Sequence, residues 1–134
     1  MLDHALESAF VAYLGTAPAF AGVHLFTGHD AEEHLLPGLT ISSKSEPLAG
    51  SAAVFRADVT FLIETEAHDS TPDEHAALVE STRACLADKH AVVAALNAGG
   101  LIFLYGYAFA ESSLDVDGKR FRTTLTLKAG YGTP

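Results

Sequence analysis

Apolar residues recur along the chain with two different periods. Leu2, Leu6, Ala9, Phe10, Tyr13 and Leu14 follow the i, i+4, i+7, i+8, i+11, i+12 spacing that stripes one side of a helix. Asp3 and Glu7 fall in its first turns, where the helix dipole favours acid. The segment from Gly15 to Gly22, with Pro18 inside it, ends this helix. Val23 to Thr27 then predicts a short strand, and Gly28 opens a polar loop that runs through Glu33. Leu35 to Ser42 is expected to be an entry bend, with Pro37-Gly38, followed by a second strand, and Ser42 to Ser51 is expected to be a loop.

The clearest alternation lies between Ala53 and Thr65. Phe55, Ala57, Val59, Phe61 and Ile63 share one side, with Arg56, Asp58, Thr60, Leu62 and Glu64 opposite, as a half-buried strand requires. Thr71-Pro72-Asp73-Glu74 then supplies an N-cap, a proline at the first helical position and the returning acid of a capping box. Leu78, Val79, Thr82, Cys85 and Leu86 form the stripe of that helix. Val92, Val93 and Leu96 continue in a shorter helical piece, which Asn97 and Gly99-Gly100 stop. Leu101 to Ala110 and Phe121 to Ala129 predict the arms of a closing hairpin around the turn residues Asp115 to Lys119.

The predicted order is therefore α-β-β-β-α-(α)-β-β. It describes one α+β domain spanning residues 1–134, an antiparallel or mixed sheet packed on one face by two main helices. The apolar content of 49% against 19% charged residues suits a packed interior and excludes disorder. Eight Lys plus Arg against seventeen Asp plus Glu leave a net charge of -9, and no basic stripe offers to neutralise phosphates. Such a surface repels DNA, which helps if DNA must slide past without sticking. A single cysteine, Cys85, rules out an intramolecular disulfide and a thiolate metal cage, and fits folding in a reducing cytoplasm. The acidic start and the lack of any apolar run near the ~20 residues of a spanning helix predict neither Sec export nor membrane insertion.

Several clusters carry candidate chemistry. His24, His29 and His34, with Asp30, Glu32 and Glu33, offer zinc-type ligands within one short stretch. No helical register gathers them, so a solvated polar loop is the preferred reading. His68, Asp69, Ser70 and His75 bring triad residue types together in sequence, yet helix capping already accounts for the neighbouring Thr71, Asp73 and Glu74. Cys85 falls on an apolar stripe and reads as a small buried thiol. Neither a dinucleotide fingerprint nor a P-loop is present. Phe103, Tyr105, Tyr107 and Phe109 lack the interleaved basic residues of a nucleic-acid platform. Catalysis, cofactors and resident metals are accordingly not expected.

The segment 101–110 is apolar at consecutive positions, with Leu104 and Ala108 assigned to one face and Phe103, Tyr105 and Tyr107 to the other. Either this strand is central and covered twice, or a second subunit covers part of it.

Taken in order, the N-terminal helix, Gly22-Val23-His24-Leu25-Phe26-Thr27-Gly28, Leu36-Pro37-Gly38-Leu39-Thr40-Ile41, the long strand, the Ser70-Thr71-Pro72 helix and the hairpin resemble the tail terminator, or tail completion, family of long-tailed phages and prophages. The resemblance covers nearly the whole chain and rests on element order, length and short peptides. It implies a non-enzymatic virion protein, assembled in the host cytoplasm, whose subunits form a ring, commonly a hexamer. That ring sits on the last ring of major tail tube protein, stops tube polymerisation and presents a surface to the head-tail connector, while DNA passes through.

A closed ring needs heterologous contacts. The acidic loop Asp30, Glu32 and Glu33 and the basic strand face Arg120, Arg122 and Lys128 are the candidate complements. The rival expectations are another phage neck or head-closure protein and a small His-rich metal- or ligand-binding protein.

Overall fold

The computed structural model describes residues 2–28, 37–47, 54–66, 72–111, 115–117 and 120–132; for β4, β5 and Arg120 defined below, the description is of backbone and register. The elements follow as α1 (Leu2–Gly15), a 3-10 turn (Pro18–Phe20), β1 (His24–Thr27), β2 (Gly38–Pro47), β3 (Val54–Glu66), α2 (Pro72–Ala87), α3 (Lys89–Ala98), β4 (Ile102–Glu111), β5 (Asp115–Asp117) and β6 (Arg120–Gly132). This is the expected α+β order, with the third helix present and β5 as an additional short strand.

The sheet is mixed, in the order β1-β2-β3-β6-β4, and β5 extends the β4 arm against β6. β1 and β2 run parallel, whereas the other pairings are antiparallel. Period-2 alternation places Ala57, Val59, Phe61 and Ile63 of β3 and Leu125, Leu127 and Tyr131 of β6 on one face, all essentially inaccessible to water. The helices cover that face. Leu6, Phe10 and Leu14 of α1, Val79 and Leu86 of α2, and Val92 and Leu96 of α3 complete a single core with it. Phe10 meets Phe61 edge to face, ring centroids 5.3 Å apart, which couples α1 to the centre of the sheet.

The end of α3 shows how local sequence sets the path of the chain. Asp88 caps its start, accepting from the Ala91 N–H at 3.3 Å. At the other end Gly100 adopts φ +81°, its N–H donates to Asn97, and the Leu101 N–H reaches the Leu96 carbonyl at 2.8 Å. That is a Schellman stop, and its usual apolar contact is supplied by Leu96 and Leu101, both buried.

Four expectations are corrected. The loop expected over Ser42 to Ser51 is strand as far as Pro47, because each residue of β2 pairs with β3 in register from Gly38↔Glu64 to Pro47↔Phe55. Its sequence there is polar at every position from Ser42 to Glu46 and ends in Pro47, so no alternation betrays it. β6 likewise runs on to Gly132, and Tyr131 is fully buried and stacked on Phe55 across the strand pair, centroids 5.7 Å apart. The reading of the 101–110 strand as central does not hold: among the described strands β4 pairs only with β6 and forms an edge. Nor do its aromatic positions keep strict alternation, since register shifts between Phe103 and Tyr105 and between Tyr105 and Ala108 set Phe103 opposite Tyr131 and Tyr105 opposite the adjacent Gly130.

Glu7, expected as an acid favoured by the helix dipole, has a further role. It is only 1% exposed, and its carboxylate accepts the Gly28 N–H at 3.1 Å, the Ser43 N–H at 3.0 Å and the Ser43 hydroxyl at 3.1 Å. One side chain thus ties α1 to the end of β1 and the middle of β2. Replacing Glu7 by Leu removes the carboxylate that accepts from the Ser43 N–H and hydroxyl, while the Gly28 N–H keeps the Ile41 carbonyl at 2.8 Å, and is expected to cost about 1–3 kcal/mol. The exposed control Glu80→Leu should stay within about 0.5 kcal/mol, both read by urea unfolding.

Candidate interaction surface

Two parts of the sheet stand out among the described residues: β4, which forms an edge, and the second face, on which no helix packs. β4 brings the run Ile-Phe-Leu-Tyr-Gly-Tyr-Ala-Phe-Ala-Glu to the sheet margin, with one charged residue, at its end, and no proline. Lysine and proline are the usual devices that stop an edge from pairing with another chain. The bulged register around Gly106 is the only such device within this run, and it interrupts the edge without making it polar.

The second face is ordered in rows by the pairing registers. Glu46 lies opposite Arg56; Lys44, Asp58 and Lys128 form the next row; Ser42, Thr60 and Thr126 follow; then Thr40, Leu62 and Thr124; and then Gly38, Glu64 and Arg122. Hydroxyl rows therefore separate charged rows. By register, Lys44, Arg56, Arg120, Arg122 and Lys128 stand against Glu46, Asp58, Glu64, Glu66, Asp115 and Asp117, so this face is nearly charge-balanced in a chain of net charge -9. The long ends of β2 and β3 form a shallow concavity there, about 320 Å³, lined by Lys44, Ser45, Glu46, Arg56 and Asp58. Arg56 donates to Glu46 across it.

The residues proposed from sequence for subunit contacts separate on this framework. Asp30, Glu32 and Glu33 lie outside the described residues. Arg120 is registered between Glu66 and Asp117. Arg122 is engaged within the chain: its Nε lies 3.6 Å from Oε2 of Glu64, whose side chain is 4% exposed. Lys128 is exposed opposite Asp58. The row pattern that gives each cation an acid on the neighbouring strand is absent from any single segment, which is why reading one segment at a time missed it.

The other candidate clusters resolve as follows. His29 and His34 lie outside the described residues, and His24 is exposed with its ring stacked near that of Phe26, centroids 6.4 Å apart. Among the described residues no three metal-ligating side chains converge, and no helix is long and apolar enough to cross a membrane. His68, Asp69, Ser70 and Thr71 lie outside the described residues. Their neighbour His75 is buried, with the Thr65 hydroxyl 2.8 Å from Nδ1 and the Thr123 hydroxyl 2.9 Å from Nε2. Cys85 is half-buried; burial first, and then the nearby Asp88, push its thiol above its ordinary pKa, so it stays protonated near neutrality. The carbonyl of the same residue accepts the Tyr13 hydroxyl at 2.7 Å, tying α2 to α1.

No protein-family model matches the chain, and no curated protein matches it significantly.

If Arg122 serves Glu64 inside the chain, Arg122→Met leaves a buried carboxylate short of its cation and should destabilise by about 1–3 kcal/mol. Lys128→Met removes an exposed charge and should change stability by less than about 0.5 kcal/mol. Urea unfolding of the two variants checks the contrast.

Proposed function

We propose that the chain is a non-enzymatic structural protein that assembles with its own copies into a ring closing the tail tube of a long-tailed phage, as the resemblance to tail terminators implies. The single observation that supports this reading most directly is the sheet margin. β4 is an edge strand whose sequence is apolar at nearly every position. Apolar residues at consecutive positions of an edge strand mark a surface that a further polypeptide covers.

In this reading the ring, a hexamer in the related family, sits on the major tail tube protein and meets the head-tail connector on its other side. Shape and strand-edge complementarity do the work. The nearly charge-balanced second face supplies rows of opposite sign that fix orientation more than strength, since exposed ion pairs contribute only ~0.2–1 kcal/mol each. The net charge of -9 disfavours retention of DNA passing through the ring. The basic positions Arg120 and Lys128 remain the proposed complements of Asp30, Glu32 and Glu33 on the next copy. Arg122 contributes to that patch through its ion pair with Glu64.

Negative-stain imaging of the purified chain with and without tail tube protein tests the proposal. Annular particles or capped tubes are expected; a monodisperse monomer that never caps a tube refutes it. Particles that bind the connector and ignore the tube would point to a head-closure protein. Ala110→Lys places a charge in the edge strand opposite Thr126. It should lower assembly at least about tenfold, roughly 1.4 kcal/mol, while leaving the circular dichroism spectrum unchanged.

A further inference from the structure

His75 occupies an unusual position for a titratable group. It is the fourth residue of α2, which starts at Pro72, and it is 2% exposed. Its two ring nitrogens are taken by hydroxyls from two different strands, Thr65 of β3 and Thr123 of β6, and the Phe121 ring of β6 lies 5.8 Å away. The imidazole therefore joins the start of α2 to both central strands at once.

Among the described residues, the groups around it are all neutral. From β3 it meets Thr65, and from β6 Thr123 and Phe121. Glu64, Glu66 and Arg122 alternate onto the other sheet face. On its own helix, Asp73 and Glu74 are exposed to water, and Val79 one turn on is apolar.

A neutral imidazole suits this site, donating through one nitrogen and accepting through the other. An imidazolium does not. Among the described residues it meets no buried counter-charge, and it sits in the first turn of a helix, where the dipole opposes positive charge. Burial accordingly lowers the His75 pKa below the ordinary 6.5.

We infer that His75 makes the first turn of α2 an acid-released latch: the neutral ring holds the turn on β3 and β6, and protonation lets it detach while the sheet persists. The direction follows from linkage. A histidine whose pKa is lower folded than unfolded contributes its full stabilisation above about 6.5, and that contribution falls as pH drops toward and through the lowered value. Opening the turn restores hydration to the ring and uncovers Thr65, Thr123 and Phe121. The rest of α2 stays anchored by Val79, Thr82 and Leu86, which are buried further along the helix. This device is independent of ring assembly.

The test is an NMR titration of the full chain from pH 8 to 5.5, above the isoelectric point of about 5.0, following the His75 ring and amide-exchange protection corrected for intrinsic rates. Between about pH 6.5 and the ring's midpoint, protection of the Ala76 to Leu78 amides, whose acceptors lie in the first turn, should fall by up to about tenfold per pH unit, while Val59 to Ile63 and Leu125 to Leu127 keep theirs. His75→Gln should remove the pH dependence. Protonation with the turn still protected overturns the inference, as does loss of protection throughout the sheet in one step. Equal acid opening in His75→Gln also overturns it; should that variant not fold, the contrast between turn and sheet in the natural chain decides.

Discussion

The pairing of β3 with β6 is the constraint on which the rest of the molecule hangs. Thirteen consecutive residues of each strand face one another, from Val54↔Gly132 to Glu66↔Arg120. On one side this ladder presents Ala57, Val59, Phe61, Ile63, Leu125, Leu127 and Tyr131, and all three helices pack there. Because strand residues alternate strictly, the same ladder must present Arg56, Asp58, Thr60, Thr124, Thr126 and Lys128 on the other side. A polar second face, on which none of the described helices packs, is thus the direct consequence of how the core is built. Shifting the register by one residue would put every one of these polar side chains into the core.

Burial of apolar area holds the helices against this ladder, but it leaves their orientation loosely specified, since the attraction is non-directional. Directional contacts fix it. Glu7 fastens α1 to Gly28 and Ser43, the Tyr13 hydroxyl fastens α1 to the Cys85 carbonyl, and His75 fastens α2 to Thr65 and Thr123. Each places a polar group where stranding it costs about 1–3 kcal/mol. Helix placements that break these bonds are penalised even when they bury as much hydrocarbon. The interior polar residues therefore act as locators, a role that explains them without catalysis.

What was legible in the sequence follows the same division. Elements built on apolar period were read with sound faces and nearly sound ends: β3 from its alternation, α3 from its stop at Gly99-Gly100, and the order of the whole chain. Elements defined by long-range pairing were cut short. The Ser-Ser-Lys-Ser-Glu-Pro stretch of β2 has no periodic signal and is strand only because β3 lies beside it. Glu7 could not be told from a dipole-stabilising acid, because its partners lie 21 and 36 residues away. The candidate interface was legible in composition only. Arg122 looked available until the register set it against Glu64.

The edge position of β4 also alters the meaning of its sequence. Inside a sheet, a strand apolar at consecutive positions is unremarkable, because both its faces are covered. At the margin the same sequence has a helix layer on only one side, and among the described strands one edge of its backbone pairs with no other strand. Regular strand addition by any passing chain is then a hazard. The register shifts around Gly106 bear on that hazard, since a bulge breaks the even spacing of ladder donors and acceptors that an unselected partner needs. A surface of this kind resists indiscriminate pairing while still offering apolar area to a partner shaped to the interruption. Selectivity of that sort is what a subunit requires if it is to join its own copies and leave other sheet edges alone.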